Sequence, residues 1–92
     1  MGEMMSKERY ANLRKLYEAE GGLAYSLAVF GDVIAKREKY KDAGLDGMDA
    51  IHYYLIHKFH WLPRDVKAMS AEDIRFVLSE EMAGWVLPKD AR

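Results

Sequence analysis

The sequence predicts an all-α fold, a small single-domain bundle of about four to five helices. Three observations predict it. Apolar residues recur at helical spacing in successive segments; a capping box and a first-turn proline punctuate the C-terminal half; and the one stretch that alternates like a strand also carries a longer helical stripe. The chain has 92 residues, 50% of them apolar, which suffices for one modest core and not for two. The expected domain spans 6–87, with 1–5 and 88–92 as flexible termini.

The first helix is read from Ser6, with Tyr10, Leu13, Leu16 and Tyr17 on one side, Arg9, Arg14, Lys15 and Glu18 on the other, and Gly21-Gly22 as its end. In the next segment Leu23, Tyr25, Leu27 and Val29 alternate, yet Leu23, Leu27, Phe30 and Ile34 fall at i, i+4, i+7 and i+11 and run into charged residues of poor β propensity. Helix is the expectation, with a bend or break allowed at Gly31-Asp32. Asp42-Ala43-Gly44 closes it, and Asp46 is the expected N-cap of a third helix with Met48, Ile51, Leu55 and Phe59 in one stripe, widened by His52 and Ile56. Being apolar over much of its circumference, this third helix is expected at the centre. Pro63 suits the first turn of a short helix, where its missing N–H is not needed. Ser70-Ala71-Glu72-Asp73 has the form of a capping box, opening a last helix with Ile74, Val77, Leu78, Met82 and Trp85 inward and Gly84 or Pro88 at its end.

Fourteen basic and fifteen acidic residues give a net charge of −1, which lacks the electrostatic footprint of a nucleic-acid binder. The absence of cysteine excludes disulfides and thiolate metal sites and fits a reducing compartment. No apolar run reaches the roughly 18 residues of a membrane span, and no basic-then-apolar leader is present at the N-terminus. Gly2 and Ser6 match a myristoylation pattern in otherwise undistinguished surroundings, and no weight is placed on it.

His52, His57 and His60 invite a metal reading, but at about 100° per residue His52 and His57 point roughly 140° apart and no Cys completes a set. No metal, cofactor or catalytic residue is therefore expected. The carboxylates lie on polar helix faces, and Gly21-Gly22 lacks any phosphate-loop context. Pro63 to Leu78 superficially resembles a helix-turn-helix, but Glu72, Asp73, Glu80 and Glu81 against the single Arg75 would repel phosphate.

What remains is a surplus of large side chains: six Met, six Tyr, three Phe and two Trp. So small a bundle cannot easily enclose them all, and Met with Tyr and Trp suits adaptable protein-binding surfaces. Tyr53, Tyr54, Trp61, Trp85 and Val86 are the candidates for an exposed patch, joined by His60 beside Trp61.

Over 49–82, about a third of the chain, the sequence resembles the C-terminal portion of the small tail assembly chaperones of long-tailed bacteriophages. The likeness lies in a helix ending at His60-Trp61-Leu62-Pro63, a short helix, and Met69-Ser70 opening a helix with Phe76. The resemblance implies a non-enzymatic protein of the bacterial host cytoplasm that binds the hydrophobic tape measure protein and tail tube subunits, made in some members as shorter and frameshifted longer products. Self-association is compatible with it. The competing expectations are a small regulator, either a helix-turn-helix DNA binder or an inhibitor of a host defence complex, and a metal-dependent enzyme using His57 or His60.

Overall fold

The computed structural model describes residues 2–16 and 22–91, and in these the chain is all-helical, with no strand. Five helices follow in order: α1 (Gly2–Leu16), α2 (Gly22–Arg37), α3 (Gly47–Phe59), α4 (Pro63–Lys67) and α5 (Ala71–Val77), then a single 3₁₀ turn at Lys89–Ala91. Tyr17, Glu18 and Gly21, on which the end of the first helix was read, lie outside the described residues.

The most enclosed element is α2, a correction to the expectation that α3 would be central. Its buried residues Ala24, Tyr25, Leu27, Ala28, Val29, Phe30, Gly31 and Ile34 cover more than one face. Leu27, Phe30 and Ile34 meet Ile51 and Leu55 of α3, Val66 of α4, and Ile74, Leu78 and Met82 in the main core. Tyr25 and Val29 form a second cluster with Ala91, flanked by Tyr10 and Leu13 of α1. The apparent alternation of Leu23 to Val29 is thus the signature of a helix covered on two sides. Such a helix loses the clean stripe that marks a surface helix.

No break occurs at Gly31. An added Cβ there would lie 1.8 Å from the carbonyl oxygen of Gly47, so the glycine marks where the backbones of α2 and α3 meet. Gly47 itself has φ +53°, a conformation that costs glycine little. Beside this crossing, Asp32 Oδ1 accepts from the Gly47 amide at 2.8 Å and from Arg9 Nη2 at 2.9 Å, while Oδ2 accepts from Arg9 Nε at 2.7 Å. One carboxylate therefore ties α1, α2 and the start of α3 together. Asp46 occupies the N-cap position but makes no side-chain cap bond; its carboxylate instead lies 3.2 Å from Arg9 Nη2. The guanidinium, held between two carboxylates, is raised above its ordinary pKa, chiefly by the Asp32 hydrogen bond.

Two helix ends differ from the expectation. The terminator of α2 is not Asp42 to Gly44 but Lys39, left-handed at φ +57°, with Lys39 N–H donating to Lys36 O at 3.3 Å and Tyr40 N–H to Ala35 O at 3.0 Å. These are the two bonds of a Schellman cap, here made without glycine. Gly44 N–H instead donates to Asp42 Oδ1 at 2.8 Å, forming a turn of its own. At the other end, α5 stops at Val77. Ser79 Oγ donates to Phe76 O at 2.6 Å, and Ser79, Ala83 and Trp85 amides bond three residues back, so Leu78 to Gly84 run as tight turns. Leu78 and Met82 still reach the core from these turns.

Helix α1 begins at Gly2, four residues ahead of Ser6. Ala91 is buried, and its carbonyl accepts from the Tyr25 hydroxyl at 2.6 Å and from the Arg14 guanidinium, which also lies over the Tyr25 ring. The Ser70 half of the capping box does form, its Oγ accepting from Asp73 N–H at 3.1 Å.

Candidate protein-binding surface

Backbone geometry at the end of α3 produces the most concentrated exposed apolar feature. His60 caps α3 in the left-handed region at φ +59°, its amide donating to Ile56 O at 2.8 Å. The chain then runs extended through Leu62, at φ −71° and ψ 141°, because Pro63 disfavours helix in the residue before it. Trp61 and Leu62 consequently fall between the two helices, next to Phe59 in the last position of α3. The Phe59 and Trp61 rings stack with centroids 4.6 Å apart and planes 19° from parallel, leaving Trp61 38% and Leu62 52% exposed. Val66, fully buried on α4, anchors the far side of this ridge to the core.

The six residues singled out in the sequence do not form one patch. Trp61 and His60 are exposed on the ridge, and Tyr53 is exposed on α3, its ring 5.1 Å from Tyr40 and 4.2 Å from His57. Tyr54 is half-buried against the main core, with Arg37 and Lys58 each 5.5 Å from its ring. Trp85 is also half-buried, set edge-on to Phe30 with centroids 5.0 Å apart, so it is a core residue and not part of an exposed patch. Val86 is 66% exposed but belongs to the C-terminal segment whose neighbours Trp85 and Leu87 pack on Tyr25 and Val29.

Three exposed residues were missed: Phe59, Leu62 and Phe76, the last 79% exposed. Phe59 continues the spacing of the buried stripe of α3, but as the last residue of that helix it passes beyond the partners that cover Ile51 and Leu55. Phe76 was legible, because at about 100° per residue it lies opposite the Ile74, Val77 and Leu78 side of α5. Its neighbours one turn back, Glu72 and Asp73, are exposed, as is Glu80.

No family model matches this chain, and no curated protein or solved structure is similar to it.

Of the other polar groups, Lys58 pairs with Glu81 across α3 and the turns after α5. Burial pushes the Glu81 carboxyl up, but the Lys58 hydrogen bond and charge outweigh it and hold the carboxyl below its ordinary value. His52 lines an open concavity of about 420 Å³ with Met48, Lys67, Met69 and Ile74. Its Nδ1 is buried with no hydrogen-bond partner among the described residues, and burial lowers its pKa, with Asp49 acting against this and Lys67 in the same sense. The three histidines do not converge: among the described residues no group of three His, Asp or Glu side chains is placed to hold a metal ion. No described helix is long and apolar enough to cross a membrane.

Proposed function

We propose that this chain is a non-enzymatic protein-binding module, a tail assembly chaperone that offers the Phe59, Trp61 and Leu62 ridge to a long apolar helical client of the tape measure kind. The observation that carries protein binding is the stacked Phe59 and Trp61 pair held outside the core, with Leu62 beside it. Stacked rings are already ordered, so a partner that covers them loses little side-chain entropy on binding, and aromatic anchors of this sort dominate interface energetics. An amphipathic client helix would lay its apolar stripe along the ridge. The choice of client rests on the likeness of 49–82 to the phage chaperones. The carboxylates of Glu72, Asp73 and Glu80 around Phe76 favour a protein partner over phosphate.

The test is co-expression with the tape measure protein encoded nearest to this gene, followed by pull-down. Trp61→Ala is expected to lose at least tenfold in capture while the far-ultraviolet circular dichroism stays that of the parent, which is the truncation cost of an interface anchor. Undiminished capture by a folded Trp61→Ala protein would remove the ridge from the mechanism. A tape measure protein that the parent chain does not retain would remove the client.

A further inference from the structure

We propose that the Phe76 face of one copy docks on the Phe59, Trp61 and Leu62 ridge of a second copy, the two copies exchanging the same contact. Both halves of the interface are apolar and uncovered: Phe76 is the most exposed large apolar side chain described, and Leu62 is more than half exposed. Apart from Arg75, next to Phe76 in the chain, and Asp65 on α4, their surroundings are oppositely charged. One helical turn before Phe76 stand Glu72 and Asp73, both exposed and in no ion pair among the described residues, on the same side of α5. Immediately after Leu62, α4 carries Arg64 and Lys67 three residues apart, also exposed and in no ion pair among the described residues, with Asp65 between them pointing off their shared side.

A ridge meeting a ridge would bring Arg64 and Lys67 against their own copies, and a Phe76 face meeting itself would oppose Glu72 and Asp73 to theirs. Pairing unlike faces relieves both repulsions. The proposed pairing is two-fold: each copy gives its ridge to the other's Phe76 face, which closes the dimer and leaves no free end to propagate a fibre. The ridge is the surface assigned above to the client, but self-docking does not depend on that assignment. If both hold, client and second copy compete.

Mass measurement by light scattering over a dilution series of the full chain tests the pairing. The parent is expected at twice the monomer mass at high concentration, falling to the monomer on dilution and sooner in high salt. Phe76→Asp and Leu62→Asp each put a charge into one half of each contact while altering an exposed side chain, and each alone is expected to be monomeric with unchanged circular dichroism. Mixed together they retain one intact ridge and one intact Phe76 face, so a heterodimer is expected to reappear. A parent monomeric throughout the series overturns the proposal. So does a dimer that survives Phe76→Asp, or a mixture in which no heterodimer forms. Client capture separates the two readings: Phe76→Asp leaves the ridge free and retains the client, whereas failure of the client reading leaves the mass profile as predicted.

Discussion

Replacing Gly31 by alanine tests the packing of α2 on α3 through the sign of the effect. In an uncrowded helix interior the change would stabilise by up to about 1 kcal/mol, because alanine surrenders less backbone freedom on folding. Here the new Cβ would sit 1.8 Å from Gly47 O and 2.6 Å from its carbonyl carbon. Ordinary carbon–oxygen contacts are about 3.3–3.6 Å, so the backbones must part by roughly 1.5 Å or more. A gap of that size removes much of the dispersion attraction between Leu27, Phe30 and Ile34 on one side and Ile51 and Leu55 on the other. It also pulls the Gly47 amide from Asp32, a charge-assisted bond of about 1.5–3 kcal/mol. Overpacking alone typically costs about 1–3 kcal/mol. After the helix-propensity gain is subtracted, the net loss is about 3 kcal/mol, a large part of the roughly 5–14 kcal/mol expected for a domain of this length. The melting temperature should fall by at least about 12 °C. Urea and thermal unfolding followed by circular dichroism provide the measurement. Gly22→Ala is the control, because nothing lies within 4 Å of its added Cβ. A Gly31→Ala protein as stable as the parent, or more so, would refute the close crossing.

Asp32→Ala should cost about 2–3 kcal/mol in urea unfolding, since it removes the acceptor of both Arg9 and the Gly47 amide, with the half-exposed Arg9 contribution partly screened. Asp32→Asn, which keeps an acceptor for the amide, should recover part of that loss; equal stability of Asp32→Ala and the parent would dismiss the three-helix tie. For His52 the folded state favours the neutral ring, so below the ordinary value of 6.5 the unfolded chain binds more protons and stability falls as pH falls. Its contribution is fully present above about pH 6.5. Unfolding free energies measured between pH 5 and 7 should therefore flatten in His52→Leu, and an unchanged slope would rule out His52 as the source. Tyr25→Phe should lower stability by about 1 kcal/mol through its lost bond to Ala91, and deletion of residues 89–92 by more, because the buried hydroxyl is then left unpaired. A deletion with no effect on the urea midpoint would mean that the C-terminal turn is not part of the folded unit.

Fold class and the positions of most helices were legible in the sequence, because apolar spacing, Pro63 and Ser70 act within a few residues and leave little choice of local structure. Phe76 was equally legible as an outward residue. Helix ends were not: Lys39 and His60 adopt the left-handed cap that glycine usually supplies, while Gly44, read as a terminator, serves a separate turn. Local preference there amounts to about 1 kcal/mol, small enough for packing to override. Gly31 shows the same division. A glycine in a helical segment reads as weakness in one dimension, and only the arrival of Gly47 across 16 residues shows that it is a contact.

The candidate surface divides likewise. Composition required that some large apolar groups stay uncovered, since a chain of 92 residues has too little interior for them all. Which ones was decided by tertiary structure. Trp85 turned in against Phe30, and Phe59 was carried past the end of its covered stripe to stack on Trp61. Residue spacing records the direction a side chain takes from its own helix, but burial depends on whether another element arrives on that side, and that is a property of the whole packed chain.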